Sequence, residues 1–120
     1  MPKNMEIALL YDFYGDMLTD RQKEFFDLYY NEDLSLAEIA ENAGITRQGV
    51  RDVLMRSEAI LTEIEEKTGI VRRFLEIQKL SDQIDNAARK ILLINEERYA
   101  STDLMLLARE IQDCAGLLKE

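Results

Sequence analysis

The chain has 120 residues, of which 47% are hydrophobic and 32% are charged, with one Pro and five Gly. This length fits one compact domain, or a small domain with a helical extension, and the composition excludes a disordered or collagen-like chain. The sequence contains no His, which excludes Ser-His and Cys-His catalysis and His-ligated metal sites. Cys114 is the one thiol, so an internal disulfide is excluded, and its apolar neighbours at helical spacing predict a packed core residue.

The longest apolar runs, Ile91–Ile94 and Leu104–Ala108, are too short to span a bilayer. The N-terminal stretch carries acidic residues and is a poor signal peptide. We therefore expect a cytoplasmic protein without a membrane span, and nothing in the sequence indicates a cofactor, a metal or a small-molecule substrate.

Charge is distributed unevenly along the chain, whose net charge is −9. Residues 1–66 carry six basic and fifteen acidic side chains, whereas residues 67–120 carry nine of each. The N-terminal part therefore repels polyanions at long range, and nonspecific DNA binding depends mainly on Lys and Arg. This distribution favours a protein partner for the N-terminal part.

The first half of the chain reads as four short or medium helices, because no segment alternates polar and apolar residues for long. The first covers about residues 6–15, and the second starts at Thr19 or Asp20 and has an aromatic inner face. Ser35 and Glu38 have the spacing of a capping box at the start of the third helix. Thr46 caps the fourth helix, which runs to about residue 67.

The stretch Ser35–Leu54 has the pattern of a helix-turn-helix. Ala40 supplies the small residue where the two helices cross, and Gly44 supplies the sharp turn four residues later. Apolar residues point between the helices at the required offsets: Ile39, Ala43, Ile45, Val50 and Val53. The pattern predicts a helix-turn-helix over residues 35–61, within a domain of residues 1–68.

A long amphipathic helix follows over about residues 70–95, in a helical extension of residues 69–120. Its apolar positions step by four and three over about three heptads: Ile70, Phe74, Ile77, Ser81, Ile84, Ala88 and Ile91. A last helix, capped by Ser101 or Thr102, has Leu104, Leu107, Ala108, Ile111, Cys114 and Leu118 along one side. We expect a homodimer built mainly from residues 70–118, with Phe74, Ile77, Ile84 and Ile91 at its interface. The alternative is that these stripes pack within one chain.

The fourth helix is the candidate recognition helix, because its first turns present Arg47, Gln48, Arg51 and Asp52 outward. Arg pairs with guanine edges and Gln with adenine edges, and Arg56 could reach a phosphate. The alternative is that these are ordinary solvated residues, an interpretation that Asp52 and the acidic residues after it favour.

The stretch Leu9–Gly69 resembles the YlxM family of small bacterial helix-turn-helix proteins associated with the signal recognition particle. The matching blocks are Asp12–Gly15, Leu18–Thr19, Arg21–Lys23, Leu28–Tyr30, Asp33–Leu36, Glu38–Glu41 and Thr46–Gln48. The helix-turn-helix is also similar to region four of the primary sigma factors, through Thr46, Arg47, Val50, Arg51 and Val53. Asp52 differs from that pattern, in which a neutral base-reading side chain stands at this position.

The resemblance implies an all-α, sigma region-four-like helix-turn-helix followed by long amphipathic helices, and a non-enzymatic role in or on the signal recognition particle pathway. The partner would be the particle's GTPase or its RNA, and the resemblance implies contacts through Arg47, Gln48 and Arg51. We expect the full contact set to be Thr46, Arg47, Gln48, Arg51, Asp52 and Arg56. The alternative is a sequence-specific transcription regulator that uses the same helix on DNA. An enzyme is disfavoured, because no base, nucleophile or phosphate loop accompanies the acidic pairs.

Overall fold

The computed structural model describes residues 3–120, and within that range the chain forms helices and no strand, which confirms the all-α prediction. By their internal contacts the residues divide into an N-terminal unit that ends at Val71 and a second unit, Arg72–Glu120. The helices are α1 (Met5–Tyr14), α2 (Asp20–Phe26), α3 (Leu36–Ala43), α4 (Arg47–Thr68), α5 (Ile70–Ile94) and α6 (Thr102–Leu117). Short helical turns extend three of them, at Gly15–Met17, Asp27–Asn31 and Asn95–Tyr99.

Side-chain caps fix where the helices begin. The Thr19 hydroxyl accepts a hydrogen bond from the Gln22 N–H (3.2 Å), and the Ser35 hydroxyl accepts one from the Glu38 N–H (3.1 Å). Both pairs form complete capping boxes, and α4 and α6 begin at caps of the same kind on Thr46 and Ser101. Such caps satisfy N–H groups that have no partner inside the helix. The predicted helix starts are therefore confirmed.

The core of the N-terminal unit lies among α1, α2, α3 and α4. Its most deeply buried side chains are no more than 2% exposed: Phe25, Phe26, Ile39, Val50, Leu54 and Leu61. Of the residues predicted to point between the helices of the helix-turn-helix, Ile39 and Val50 are buried and Val53 is half-buried, whereas Ala43 is exposed. Ala43 is the last residue of α3.

Three aromatic rings stack through this core. The Tyr11 and Phe26 ring centroids lie 4.3 Å apart with planes 7° from parallel, and Phe26 and Tyr30 repeat the arrangement at 4.3 Å and 11°. The Tyr11 hydroxyl donates to Asp27 (2.8 Å), and the Tyr30 hydroxyl donates to Glu58 on α4 (2.9 Å). The stack therefore joins α1, α2 and α4 by both ring contact and hydrogen bonds.

The Glu65 carboxylate joins the end of α1 to the end of α4. It accepts a hydrogen bond from the Tyr14 hydroxyl (2.6 Å) and another from the Val71 backbone N–H (3.0 Å). The Tyr14 hydroxyl also lies 2.9 Å from the Thr68 hydroxyl. At Gly69 the backbone turns through the left-handed region (φ 62°), and this turn separates α4 from α5.

The second unit is a helical hairpin of α5 and α6, whose helices meet through small residues. Ser81, Ala88, Ala108 and Ala115 are each no more than 2% exposed, and the Ser81 hydroxyl donates to the Ala115 carbonyl oxygen. At the turn, Asn95 donates to the Ser101 carbonyl (2.8 Å) and accepts from the Ser101 N–H (2.9 Å). Small side chains allow the two backbones to approach closely.

The prediction that Cys114 is a packed core thiol is wrong, because its side chain is exposed. Along the predicted inner side of the last helix only Ala108 is buried. The physical reason is that the helices meet at the neighbouring positions, Ala108 and Ala115, which leaves the larger residues beside them in solvent.

The turn between α3 and α4 depends on Gly44, whose φ of 71° lies in the left-handed region. Gly44→Ala should lower the free energy of unfolding by about 1–2 kcal/mol, because an L side chain is strained there although the added methyl group meets no atom. Urea unfolding followed by tyrosine fluorescence measures this. Gly116→Ala is the matched control, because Gly116 lies in α6 and has no positive φ. An equal loss of stability in both variants would contradict the prediction.

The hydroxyl groups of Tyr11 and Tyr30 should ionise at a higher pH than those of ordinary tyrosines. Burial, with the hydrogen bond to Asp27, raises the pKa of Tyr11 to about 12, and burial with the bond to Glu58 raises the pKa of Tyr30 to about 12, against an ordinary value of 10.0. The folded state then binds more protons than the unfolded state between these values, so the free energy of unfolding should fall as pH rises from 10 towards 12. A titration followed by tyrosinate absorbance should show a component that ionises near pH 12. The double variant Tyr11→Phe, Tyr30→Phe should lack this component.

Candidate partner-binding surface on the helix-turn-helix

A rigid turn sets the position of α4 against α3. Gly44 closes α3 by donating its backbone N–H to the Ala40 carbonyl, and the Ile45 N–H donates to the same oxygen (3.1 Å). Ile39 and Val50 are both fully buried where the two helices pack. The helix that carries the candidate residues is therefore anchored by its buried side and held at its start.

The candidate residues of α4 are all exposed, but they spread over about half of the helix circumference. At about 100° per residue, its buried positions Val50, Leu54, Ser57 and Leu61 fall within one narrow sector. Away from this sector run two exposed rows, one of Arg47, Arg51 and Met55 and the other of Gln48, Asp52 and Arg56. The structure brings Gln48, Arg51 and Asp52 together on one side, whereas Arg47 and Arg56 lie at its two edges, about 180° apart. Thr46 caps the helix before them.

Met55 belongs to this surface, although the sequence analysis did not single it out. Its side chain is 47% exposed and lies one turn beyond Arg51 in the same row. The i, i+4 spacing from Arg51 was the signal that could have identified it. An apolar side chain between charged residues adds contact area that a partner can desolvate.

Basic charge is concentrated at the start of α4. Three of the six basic residues in positions 1–66 are Arg47, Arg51 and Arg56, within the first ten residues of this helix. Within residues 3–120 the salt bridges given by the structure include none of these three guanidinium groups. The first turn of α4 contains no acidic residue.

Only Arg47 of the three lies in the first turn of α4, where the helix dipole favours acidic side chains. A basic residue in the first turn forgoes about 0.3–1 kcal/mol that an acidic residue would contribute. The position of Arg47 is therefore not explained by helix stability.

The acidic residues further along α4 mostly have partners within the N-terminal unit. Glu58 accepts from Tyr30, Glu65 accepts from Tyr14, and Glu63 pairs with Lys67 at 3.0 Å. Because these carboxylates serve the fold, the acidic second half of α4 does not count against a binding role for the basic first half. Asp52 differs from them in position, because it lies among the candidate residues and accepts its hydrogen bond from Gln48 there.

Asp52 and Gln48 are joined by a hydrogen bond along the helix surface, in which the Gln48 amide donates to the Asp52 carboxylate (2.9 Å). Gln48 is therefore held in one orientation and keeps its carbonyl oxygen for a partner. Gly49 lies under the Thr46 cap, and a Cβ there would lie 3.3 Å from the Thr46 hydroxyl oxygen and 3.4 Å from Ile45 Cδ1. Close packing at the cap accounts for this glycine without a partner.

The remaining surface offers less chemistry. A depression of about 430 Å³ lies beside the hairpin turn, but Asn95 in its wall is bonded in both directions to the Ser101 backbone. Among residues 3–120, no group of three or more Cys, Asp or Glu side chains is arranged to hold a metal ion. In the same range, no helix has the length and apolar character needed to cross a bilayer.

Comparison with known proteins places these features in a family. The family described as "Putative helix-turn-helix protein, YlxM / p13 like" (UPF0122) matches residues 1–100. The chain is 45% identical over 105 residues to a UPF0122 protein of Thermoanaerobacter sp. strain X514, covering 88% of this chain and 86% of that protein. It is 37% identical over 112 residues to a UPF0122 protein of Bacillus cereus strain AH187, covering 93% and 96%. The chain therefore belongs to the UPF0122 family of YlxM-like helix-turn-helix proteins.

Proposed function

We propose that this protein is a non-enzymatic regulator that binds a component of the signal recognition particle through the exposed side of α4. The observation that carries the proposal is the cluster of three arginines in the first ten residues of α4, of which Arg47 occupies a first-turn position that helix stability does not explain. Arg47 and Arg51 lie one turn apart on a helix that the buried core holds in place. Such a pair binds carboxylates or phosphates by charge-assisted hydrogen bonds.

The particle offers two kinds of partner, its GTPase and its RNA. The excess of nine negative charges in residues 1–66 opposes the approach of a polyanion, whereas it does not oppose a protein surface. The GTPase is therefore the favoured partner, with Arg47 and Arg51 paired to acidic side chains and Met55 packed at the centre of the contact. The link to the particle itself comes from the resemblance of residues 9–69 to the YlxM family.

The second candidate function is a transcription regulator that reads DNA with α4. The exposed Arg47, Gln48 and Arg51 favour it, because these side-chain types hydrogen-bond guanine and adenine edges in the major groove. Asp52 opposes it, since its carboxylate would face or flank the phosphates. A cytoplasmic location is consistent with either function.

We further propose that the helical hairpin is a dimerisation region. Of the four residues expected at the interface, Ile84 and Ile91 are exposed and free to contact a partner, whereas Phe74 and Ile77 are half-buried. A dimer would present two copies of the α4 surface. On DNA, two such helices in neighbouring major grooves would lie about 34 Å apart.

Arg51→Glu should weaken binding to the reconstituted particle at least about tenfold, because one charge-assisted contact becomes a repulsion. Isothermal titration calorimetry at physiological salt measures this, with the GTPase alone and the RNA alone as separate titrations. Lys67→Glu is the matched control, since Lys67 lies at the far end of the same helix and pairs with Glu63. Equal losses in both variants, or no binding by the unchanged protein at tens of micromolar particle, would refute the proposal.

Arg47→Glu tests whether Arg47 contributes to partner binding or to the stability of the fold. It should weaken particle binding in the same way while raising the free energy of unfolding by about 0.3–1 kcal/mol, because it places an acidic residue at the helix N-terminus. Urea unfolding and calorimetry on the same sample test both effects. A variant that loses stability along with affinity would show that Arg47 serves the fold.

Asp52→Asn distinguishes the DNA alternative. It removes one negative charge and keeps a side-chain oxygen that can accept from Gln48. If α4 binds DNA, the variant should bind a selected duplex several-fold more tightly in fluorescence anisotropy, with a steep dependence on salt. Absence of binding by both proteins at all salt concentrations would exclude DNA as the ligand. Binding that the substitution leaves unchanged would exclude α4 as the surface that contacts DNA.

A further inference from the structure

The hairpin has one large apolar face that the structure leaves uncovered. On α5 seven buried or half-buried positions step by four and three: Phe74, Gln78, Ser81, Asp85, Ala88, Leu92 and Asn95. In the register of the Ser81–Ala115 and Asn95–Ser101 contacts, those from Ser81 to Asn95 lie level with α6. On α6 the buried or half-buried positions are Ser101, Met105, Ala108, Gln112 and Ala115, with the same steps. These two rows are the seam of the hairpin, and they are rich in small and polar residues.

A second row with heptad spacing lies one residue before the seam on each helix. On α5 it contains Leu80, Ile84, Ala87, Ile91 and Ile94, and on α6 it contains Leu104, Leu107, Ile111, Cys114 and Leu118. The large apolar side chains in both rows are between 39% and 56% exposed. None of the ten positions carries a charge, and we call them together the outer face.

The two outer rows point to the same side of the hairpin. The contacts Ser81–Ala115 and Asn95–Ser101 show that α5 and α6 run antiparallel. In an antiparallel pair, a two-fold axis perpendicular to the helices relates the two seams, so positions one residue before each seam lie on one common side. The opposite side, one residue after the seam, is mixed: it carries Asp82, Asn86, Arg89 and Arg109, together with the exposed Leu93 and Leu106.

We propose that the outer face binds the outer face of a second copy of this chain, which gives an antiparallel four-helix bundle; this inference rests on the proposed role of the hairpin in dimerisation. Four-helix bundles are built from apolar rows at heptad spacing, and each hairpin supplies two such rows. A self-complementary face is what a two-fold dimer requires. Residues 67–120 carry nine basic and nine acidic side chains, so two hairpins meet without net repulsion.

Two outer faces can meet about a two-fold axis that runs either parallel or perpendicular to the helices. Charges beside the outer face distinguish these two arrangements. Lys90 flanks the row on α5, and Asp103 and Glu110 flank the row on α6. In the register fixed by the Ser81 and Asn95 contacts, Lys90 lies level with a point between Asp103 and Glu110.

A two-fold axis parallel to the helices places α5 against the partner's α6. Lys90 then faces the partner's Asp103 and the partner's Glu110. A perpendicular axis would instead place α6 against the partner's α6, and acidic residues would face each other. We therefore assign the first arrangement, in which both hairpin turns lie at the same end of the bundle.

Sedimentation equilibrium of the full chain over micromolar concentrations tests the outer face. The unchanged protein should be a dimer, and Ile84→Glu should weaken dimerisation by about 100-fold or more, because each dimer would bury two carboxylates in an apolar contact. Asn86→Glu is the matched control on the opposite side of α5 and should leave the dimer intact. A monomer at all concentrations, or equal effects of the two variants, would overturn the proposal.

Two further measurements do not depend on the folding of the Ile84 variant. Lys90→Glu and Glu110→Lys should each weaken the dimer by about three- to tenfold, and the double variant should restore it. The Cys114 thiol should react more slowly with a maleimide as protein concentration rises. A double variant no better than the single ones would overturn the assigned pairing, and a reaction rate independent of concentration would overturn the face.

A failure of the dimer proposal can be distinguished from a failure of the partner-binding proposal. Particle binding depends on Arg51 and is measured by calorimetry, whereas dimerisation is measured by sedimentation of the protein alone. A monomer whose Cys114 is nonetheless protected would mean that another part of the same chain covers the outer face, which also contradicts this inference.

Discussion

The packing of α3 against α4 is the contact on which the rest of the N-terminal unit depends. Ile39 and Val50 are fully removed from solvent there, and Gly44 gives the chain a turn tight enough to bring them together. Because α4 also supplies Leu54 and Leu61 to the core, its orientation is fixed over several turns. The exposed Arg side chains therefore extend from a rigid base, which would lower the entropy lost in the proposed binding.

The helix α4 divides its charged residues between two tasks. The carboxylates of Glu58 and Glu65 accept hydrogen bonds from tyrosines of the core, so charge at these positions holds the fold together. The guanidinium groups of Arg47 and Arg51 lie at the opposite end, where the helix dipole gives them no support. Natural proteins commonly give up some stability at the sites they use for binding.

The helix boundaries of the N-terminal unit can be predicted from sequence, because they depend on local interactions. Hydroxyl caps at Thr19, Ser35 and Thr46, and the glycine at position 44, act within a few residues, so their positions alone predict the helix boundaries. The exposure of Arg47, Gln48, Arg51, Asp52 and Arg56 is predictable from the same helix register. Met55 is exposed beside them and is not predictable in this way, because an apolar residue carries no charge signal.

The hairpin was harder to predict, because its sequence contains two apolar patterns one residue apart. The predicted row along α5 took alternate members from both, such as Ser81 and Ala88 from the seam and Ile84 and Ile91 from the outer face. Periodicity alone cannot show which of two adjacent rows forms the contact between α5 and α6. Side-chain volume distinguishes them, because the small residues lie in the seam. The wrong prediction for Cys114 has the same cause, because hydrophobicity alone does not distinguish a seam position from the larger exposed positions beside it.

The close seam of the hairpin also bears on how the sequence can change over evolutionary time. A larger residue at Ala88 or Ala115 would force the two helices apart, so only a few residue types are acceptable there. The neighbouring outer positions can exchange Leu, Ile and Met freely as long as they stay apolar. We therefore expect the small residues at heptad spacing to be conserved among relatives that form this hairpin, even where the large residues beside them have been substituted.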